Sequence, residues 1–150
     1  MKYEILKDEF IEFDGRKLYR IKALKDFHNV KEGEFGGYIE SKRNLSHEGD
    51  ARVYGNAQVY DNARVSEDAR VLNRHSVVWF SNVGTKNGTL TVYCGKNGLI
   101  ATRGCFTGSV EEFLAKSAEV HDEKTKREYE LLIEVARSRL GEAQGNIGSE

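Results

Sequence analysis

The feature that most constrains this chain is a six-residue repeat between Asp50 and Val71, DARVYGNAQVYDNARVSEDARV. Alanine returns at every sixth position, and valine returns at the same interval two residues later. On a strand, residues two apart point to the same side, and the residue between them points to the other side. The repeat therefore predicts an inner surface built from Ala51, Ala57, Ala63 and Ala69 together with Val53, Val59, Val65, Val71, Val77 and Val83.

Polar dipeptides separate these short strands. Gly55-Asn56, Asp61-Asn62 and Glu67-Asp68 hold residue types that tolerate a left-handed backbone or hydrogen-bond to their own turn. Each hexad is thus predicted to be a strand followed by a corner. A period of six is too short for a helical hairpin or a propeller blade and does not match a heptad, which leaves a β-helix among the repeat architectures.

The pattern V-x-x-N-A-x resembles the hexapeptide repeats of left-handed parallel β-helices, from about Leu45 to Val83. This resemblance implies about two coils of three hexads each. After Arg70 the fit weakens, and His75 takes an inward position that the repeat gives to a small residue. The last coil is therefore expected to be distorted or to be already a cap.

The flanks predict a mainly β fold with C-terminal helices. Asp14-Gly15 and Asn97-Gly98 are turn signals between apolar runs that alternate as strands do. Ser109 and Glu112 form a capping box before a first helix, and a second helix ends at Gly141. The predicted organisation is an N-terminal antiparallel β cap (1–40), the hexapeptide-repeat β-helix (41–88), a β-hairpin with two helices (89–141) and a disordered tail (142–150).

Composition limits the partners. A net charge of −1 gives no overall attraction to a nucleic acid polymer, so any anion site must be a local patch. No segment approaches the roughly 20 apolar residues of a membrane helix, which predicts a cytoplasmic protein without a membrane partner. The two cysteines are not closely paired, and the four histidines are scattered. We therefore expect no metal site and no cofactor.

Two arginines of the repeat are candidates for anion binding. Arg52 and Arg70 are eighteen residues apart, so three hexads per coil would stack them about 4.8 Å apart on one face. Such a pair would clamp a phosphate or a carboxylate. The alternative is that both guanidinium groups splay into water or pair with Glu67 and Asp68.

The segment TRGCFTGS, Thr102 to Ser109, is the second candidate. A glycine-flanked loop ending at a helix N-terminus would offer backbone N–H groups to an anion. Its ligand-binding residues would be Arg103, Gly104, Cys105, Phe106 and Thr107, and Phe106 or Tyr93 would stack on a base. The alternative is a connector in which Cys105 and Phe106 enter the core, with the Cys105 thiol buried and inert.

The stretch LYRIKALKDFHNVKEGEFGGYIESKRNLS with GNAQVYDNARV, and GCFTGSVEEF followed by His121 and Tyr129, resembles uncharacterised phage and prophage proteins. The resemblance implies a homo-oligomer, a trimer or another assembly, made in the host bacterium. By analogy, it would antagonise host defence by sequestering a nucleotide-type signal without enzymatic activity. One alternative is a module that docks a host protein with its helices. Another is a hexapeptide acyltransferase with His47 or His75 as base.

Overall fold

The N-terminal residues form the antiparallel part of a four-stranded sheet in the computed structural model, which describes residues 1–141. Its three strands are β1 (Tyr3–Phe13), β2 (Arg16–Ala23) and β3 (Phe35–Ile39). The predicted Asp14-Gly15 turn joins the first two strands, and both of its residues have positive φ. Strand β1 continues through the polar residues 7–9, where the pairing with β2 shifts register between Leu6 and Phe10.

Parallel pairing dominates the repeat. Its short strands are β4 (Arg52–Val53), β5 (Gln58–Val59) and β6 (Arg70–Val71). Strand β5 adds to β3 in parallel, which completes the sheet order β1-β2-β3-β5, and β4 pairs with β6 in parallel. An isolated parallel bridge joins Leu45 to Val65, just after a 3-10 turn at Lys42–Asn44. These pairs link positions eighteen or twenty residues apart.

The inner surface of the repeat is the predicted one from Ala51 to Val77, whereas Val83 is only partly buried and packs against the C-terminal sheet and helices instead. All four repeat alanines are fully buried, and the valines from Val53 to Val77 are at most 7% exposed. The corners also have the predicted backbone, since φ is 51° at Gly55, 59° at Asp61 and 56° at Glu67. Each corner closes with a hydrogen bond from the following alanine N–H to the carbonyl three residues earlier.

The parallel pairing of the repeat ends at β6, although the valine pattern in the sequence continues to Val83. The seventh strand, β7 (Val77–Val83), belongs to a second sheet and is antiparallel to its neighbour, so this segment is a cap. The expected inward position of His75 is wrong, because His75 is exposed on a turn and Ser76 is the buried residue beside it. The Ser76 hydroxyl is within hydrogen-bond distance of the N–H of Leu72, which holds this turn closed.

The C-terminal part packs two helices on an antiparallel sheet of order β10-β9-β8-β7. Its remaining elements are β8 (Gly88–Gly95), β9 (Gly98–Arg103), β10 (Phe106–Ser109), α1 (Val110–Val120) and α2 (Glu123–Leu140). The hairpin before Gly98, the Ser109–Glu112 capping box and the end of α2 at Gly141 are confirmed. The side of α2 that faces the sheet buries Thr125, Tyr129, Ile133, Ala136 and Leu140, which recur at helical spacing.

Two apolar clusters form the core. The first lies inside the repeat and includes Tyr3 and Ile21 from the N-terminal sheet and Tyr93 from β8. The second joins the outer face of the C-terminal sheet to both helices. The chain is thus mainly β with two C-terminal helices, and its sheets are open and mixed. No helix within residues 1–141 is long and apolar enough to cross a membrane. The predicted tail at 142–150 lies outside the described residues.

Candidate functional site

The predicted TRGCFTGS loop is a strand-turn-strand segment, so the expectation of an open anion-binding loop is wrong. Gly104 and Cys105 form a tight turn, and Phe106–Ser109 pairs with β9. Pairing with β9 occupies backbone groups of this segment, and the Ser109 hydroxyl accepts a hydrogen bond from the Glu112 N–H at the start of α1. Few backbone N–H groups of this segment therefore remain free to bind an anion.

The turn brings two of the predicted residues together. Arg103 and Phe106 are directly paired across β9 and β10, and paired residues of antiparallel strands point to the same face. Arg103 is also paired with Leu90 of β8, whose side chain is buried in the cluster beneath the helices. Both side chains therefore lie on the helix-facing side of the sheet.

Tyr129 and two glycines fix the Arg103 guanidinium. Arg103 Nε donates a hydrogen bond to Tyr129 Oη at 3.0 Å. A Cβ on Gly88 would lie 2.8 Å from Arg103 Cζ, and a Cβ on Gly84 would collide with the Tyr129 hydroxyl. The guanidinium thus lies against bare backbone, where any larger residue would displace it.

A pocket of about 220 Å³ opens beside this arginine, and we call it the helix-side pocket. It is bounded by the β7–β8 turn, the β9–β10 hairpin, the end of α1 and one residue of α2. Its walls carry cationic side chains, aromatic rings and hydroxyl groups. The lining residues are Thr85, Lys86, Arg103, Phe106, Phe113, Lys116, Ser117, Val120, His121 and Tyr129.

The ionisable side chains that line the helix-side pocket include basic groups and no carboxylates. Lys86, Lys116 and Arg103 have no carboxylate partner among the described residues, and none of the lining residues is acidic. His121 Nδ1 lies 2.8 Å from the hydroxyl of buried Ser117, which fixes the orientation of the imidazole. The pocket therefore presents positive charge next to ring faces.

Three of the predicted ligand-binding residues lie elsewhere. Tyr93 is fully buried and bonds through its hydroxyl to Thr102 at 2.6 Å, so it offers no stacking face. Cys105 is exposed at the hairpin tip, which corrects the expectation of a buried thiol. Thr107 lines a separate cavity that contains several acidic residues, among them Asp68 and Glu112. Of the predicted ligand-binding residues, only Arg103 and Phe106 line the helix-side pocket. Gly104 lies in the β9–β10 turn beside the pocket but does not line it.

The expectation that Arg52 and Arg70 together clamp an anion is also corrected. Arg52 and Arg70 are paired in the predicted register, but Arg52 is only 5% exposed. Its guanidinium bonds to His28 Nδ1 at 2.6 Å and to Asn29 Oδ1, both in the loop after β2. Arg52 is thus neither solvated nor paired with Glu67 or Asp68; it holds this loop onto the repeat.

The two histidines suggested as acyl-transfer bases lie outside the helix-side pocket. His47 stacks on Tyr3 with ring centroids 4.0 Å apart, and its Nδ1 accepts a hydrogen bond from the Lys2 backbone N–H. Burial and the neighbouring positive charges of the N-terminus, Lys2 and Lys42 lower the pKa of His47. His75 is exposed on the turn before β7.

Sequence reasoning missed Lys86, Lys116 and Ser117 as pocket residues. Helical spacing already placed Ser117 one turn before His121, which was a usable signal. Nothing local indicates that the β7–β8 turn carrying Lys86 meets the end of α1.

The fold and the site define a class: a mainly β protein with a cationic, ring-lined pocket at the junction of its C-terminal sheet and helices. No family model matches the chain, and a search of curated proteins finds no match.

Proposed function

We propose that this protein binds a small anionic ligand of the nucleotide type in the helix-side pocket and retains it without chemical conversion. The observation that carries the proposal is the lining of that pocket, which combines Lys86, Arg103, Lys116 and His121 with three aromatic rings and no acidic side chain. Cationic groups suit phosphate oxygens, and ring faces suit a base.

The geometry assigns a role to each wall. Phe106 is half-buried and stands opposite Arg103 across the hairpin, so it is the ring available to a base. Lys116 lies in the second half of α1, His121 is the residue that caps the C-terminus of that helix, and Lys86 lies in the β7–β8 turn. The volume of about 220 Å³ is below the roughly 300–1,000 Å³ that encloses a drug-sized ligand. The pocket therefore encloses part of a nucleotide, and the rest of the ligand lies outside it.

Two finer features belong to this proposal. Parallel pairs eighteen or twenty residues apart, an inner surface of alanine and valine, and left-handed corners support a short β-helix of about two coils. Repeat units bury their cores by stacking, so a repeat this short favours a homo-oligomer. The resemblance to phage and prophage proteins supports capture of a host defence signal as the use of the pocket.

Calorimetric titration with a panel of purine and pyrimidine mononucleotides, cyclic mononucleotides and cyclic dinucleotides tests the proposal. We expect saturable binding of at least one of them. Lys116→Ala and Phe106→Leu should each weaken that binding by about tenfold or more, since each removes one wall of the site. Lys124→Ala removes the same charge from an exposed position outside the pocket and should leave the affinity unchanged.

Gly88→Ala is a second variant for the same site. Its Cβ would displace the Arg103 guanidinium, and we expect weaker nucleotide binding with the fold retained. Circular dichroism monitors the fold of each variant. The proposal is wrong if no nucleotide of the panel binds, or if Lys116→Ala and Lys124→Ala have equal affinities.

Exposed apolar residues on the helices favour a second candidate function, the docking of a host protein. Leu131 and Val135 are 43% and 45% exposed, and their spacing of four places them on one face of α2. Val120 at the end of α1 is 57% exposed. If this face binds a host protein, Leu131→Glu should abolish co-purification of a stoichiometric partner, while Lys116→Ala should not.

A further inference from the structure

A second cavity lies on the opposite face of the C-terminal sheet, between that sheet and the repeat. We call it the repeat-side cleft, and its volume is about 430 Å³. Thr91 and Thr102 are paired across β8 and β9 and line its floor. The lining residues are Arg43, Asn62, Arg64, Ser81, Asn82, Asn87, Gly88, Thr89, Thr91, Thr102, Arg103 and Gly104.

The lining of this cleft is polar throughout and differs in kind from the helix-side pocket. It contains guanidinium, amide and hydroxyl groups, and none of its residues is acidic, aromatic or aliphatic. Arg103 contributes to both cavities, but its guanidinium is fixed on the helix side by Tyr129. The cationic side chains specific to the cleft are therefore Arg43 and Arg64.

Arg43 and Arg64 are available to a ligand. Both are exposed, and neither side chain has a hydrogen bond or an ion pair with another residue of the described chain. Two cations beside one cleft without an acidic residue repel each other, and an anion between them would relieve that repulsion. Arg16, by contrast, is paired with Glu40 at 3.2 Å.

The backbone beneath both arginines is firmly held. Asn44, next to Arg43, is fully buried, and its Oδ1 accepts hydrogen bonds from the backbone N–H groups of Glu40 and Ser41. Asn44 Nδ2 donates to the Ala63 carbonyl, immediately before Arg64. The Arg64 N–H donates to Thr91 Oγ1 at 3.1 Å, so the cleft floor and the repeat are joined. The separation of the two arginine backbones is thus set by the fold.

We propose that the repeat-side cleft is a binding site for phosphorylated sugars. Arginine binds phosphate with two parallel hydrogen bonds, so Arg43 and Arg64 would hold the phosphate. Side-chain amides and hydroxyls both donate and accept, which matches sugar hydroxyl groups, and Asn62, Asn82 and Asn87 supply the amides. The lining contains no aromatic ring on which a base could stack, and the cleft volume lies within the usual range for small-molecule sites.

Titration of the full chain with ribose 5-phosphate, ribose and inorganic phosphate at constant ionic strength tests this site. We expect ribose 5-phosphate to bind at least tenfold more tightly than inorganic phosphate, and ribose alone to bind still more weakly. Arg64→Gln and Arg43→Gln should each weaken ribose 5-phosphate binding at least tenfold. Arg74→Gln removes an exposed arginine outside the cleft and should have no effect.

A second comparison separates the sugar contact from the phosphate contact. Asn62→Ala, at an exposed position of the cleft without a positive φ, should weaken ribose 5-phosphate binding more than inorganic phosphate binding. Phe106→Leu alters only the helix-side pocket and should leave ribose 5-phosphate binding unchanged. The proposal for the cleft is therefore tested separately from the proposal that nucleotides bind in the helix-side pocket. The inference is overturned by absence of saturable binding, by equal losses in Arg64→Gln and Arg74→Gln, or by equal affinity for ribose 5-phosphate and inorganic phosphate.

Discussion

Replacing Glu67 with glycine is expected to stabilise this protein, because Glu67 holds a backbone conformation that suits glycine. Three successive corners of the repeat share one geometry, with positive φ at Gly55, Asp61 and Glu67. In the third corner the Ala69 N–H donates to the Ser66 carbonyl at 3.2 Å. Since the first corner already has glycine at the equivalent position, the substitution applies an arrangement that the fold itself uses.

The size of the effect follows from two opposing contributions. A left-handed backbone costs a residue with a side chain about 1–2 kcal/mol. Glycine loses more freedom on folding, which costs about 0.5–1 kcal/mol. The balance for Glu67→Gly is a gain of about 0.5–1 kcal/mol in the free energy of unfolding. In a chain of this length, that gain raises Tm by about 1–4 °C.

Thermal and urea denaturation followed by circular dichroism measure this gain. Glu67→Gln is the matched control, because it removes the same charge beside Asp68 and keeps the strained backbone, so its Tm should stay below that of Glu67→Gly. Ser66→Gly adds glycine where φ is not positive and should lower Tm. If Glu67→Gly is as destabilising as Ser66→Gly, the strain argument is incorrect.

Two further predictions concern buried groups. Burial lowers the pKa of Lys2 to about 8, so the contribution of this residue to the free energy of unfolding should rise from about pH 8 to about pH 10, where its unfolded form binds more protons. In urea denaturation, the free energy of unfolding of the wild type minus that of Lys2→Met should therefore increase over this window. Burial raises the pKa of Tyr3 and of Cys94 to about 12, and both groups oppose the Lys2 effect once their unfolded forms begin to ionise; the comparison with Lys2→Met cancels this because both proteins contain them. Iodoacetamide at neutral pH should alkylate exposed Cys105 in the folded protein but not Cys94, whose pKa burial raises to about 12, and labelling of native Cys94 would contradict its burial.

The repeat was predictable because its information is local. Alternation along a strand places Ala63 and Val65 inside and Arg64 outside without knowledge of any partner strand, and the structure agrees at each of these positions. The first two corners were predictable for the same reason, since Gly55 and Asp61 are residue types that favour turns and tolerate a left-handed backbone. The third corner has Glu67 at this position and was predictable only from the six-residue period. The Ser109–Glu112 capping box likewise needs only four residues.

The candidate site was not predictable to the same degree, because it depends on pairing between distant segments. TRGCFTGS is compatible with a loop and with a hairpin, and only the register with β8 places Arg103 and Phe106 on the helix-facing side. Arg52 was correctly expected to point out of the repeat, but its burial depends on His28 and Asn29, more than twenty residues earlier. Local sequence patterns do not show which distant residues will cover a given side chain.

The parallel pairs of the repeat have a consequence for how the chain folds during synthesis. Tyr38 pairs with Gln58, Leu45 with Val65 and Arg52 with Arg70, so each contact closes a loop of only eighteen to twenty residues. Loops this short have a small closure entropy for a parallel sheet, which usually needs distant contacts. All the strands that pair within the repeat are therefore synthesised once Val71 has left the ribosome, before the chain of the C-terminal sheet, although the repeat core is completed only when Val77 and Tyr93 join it.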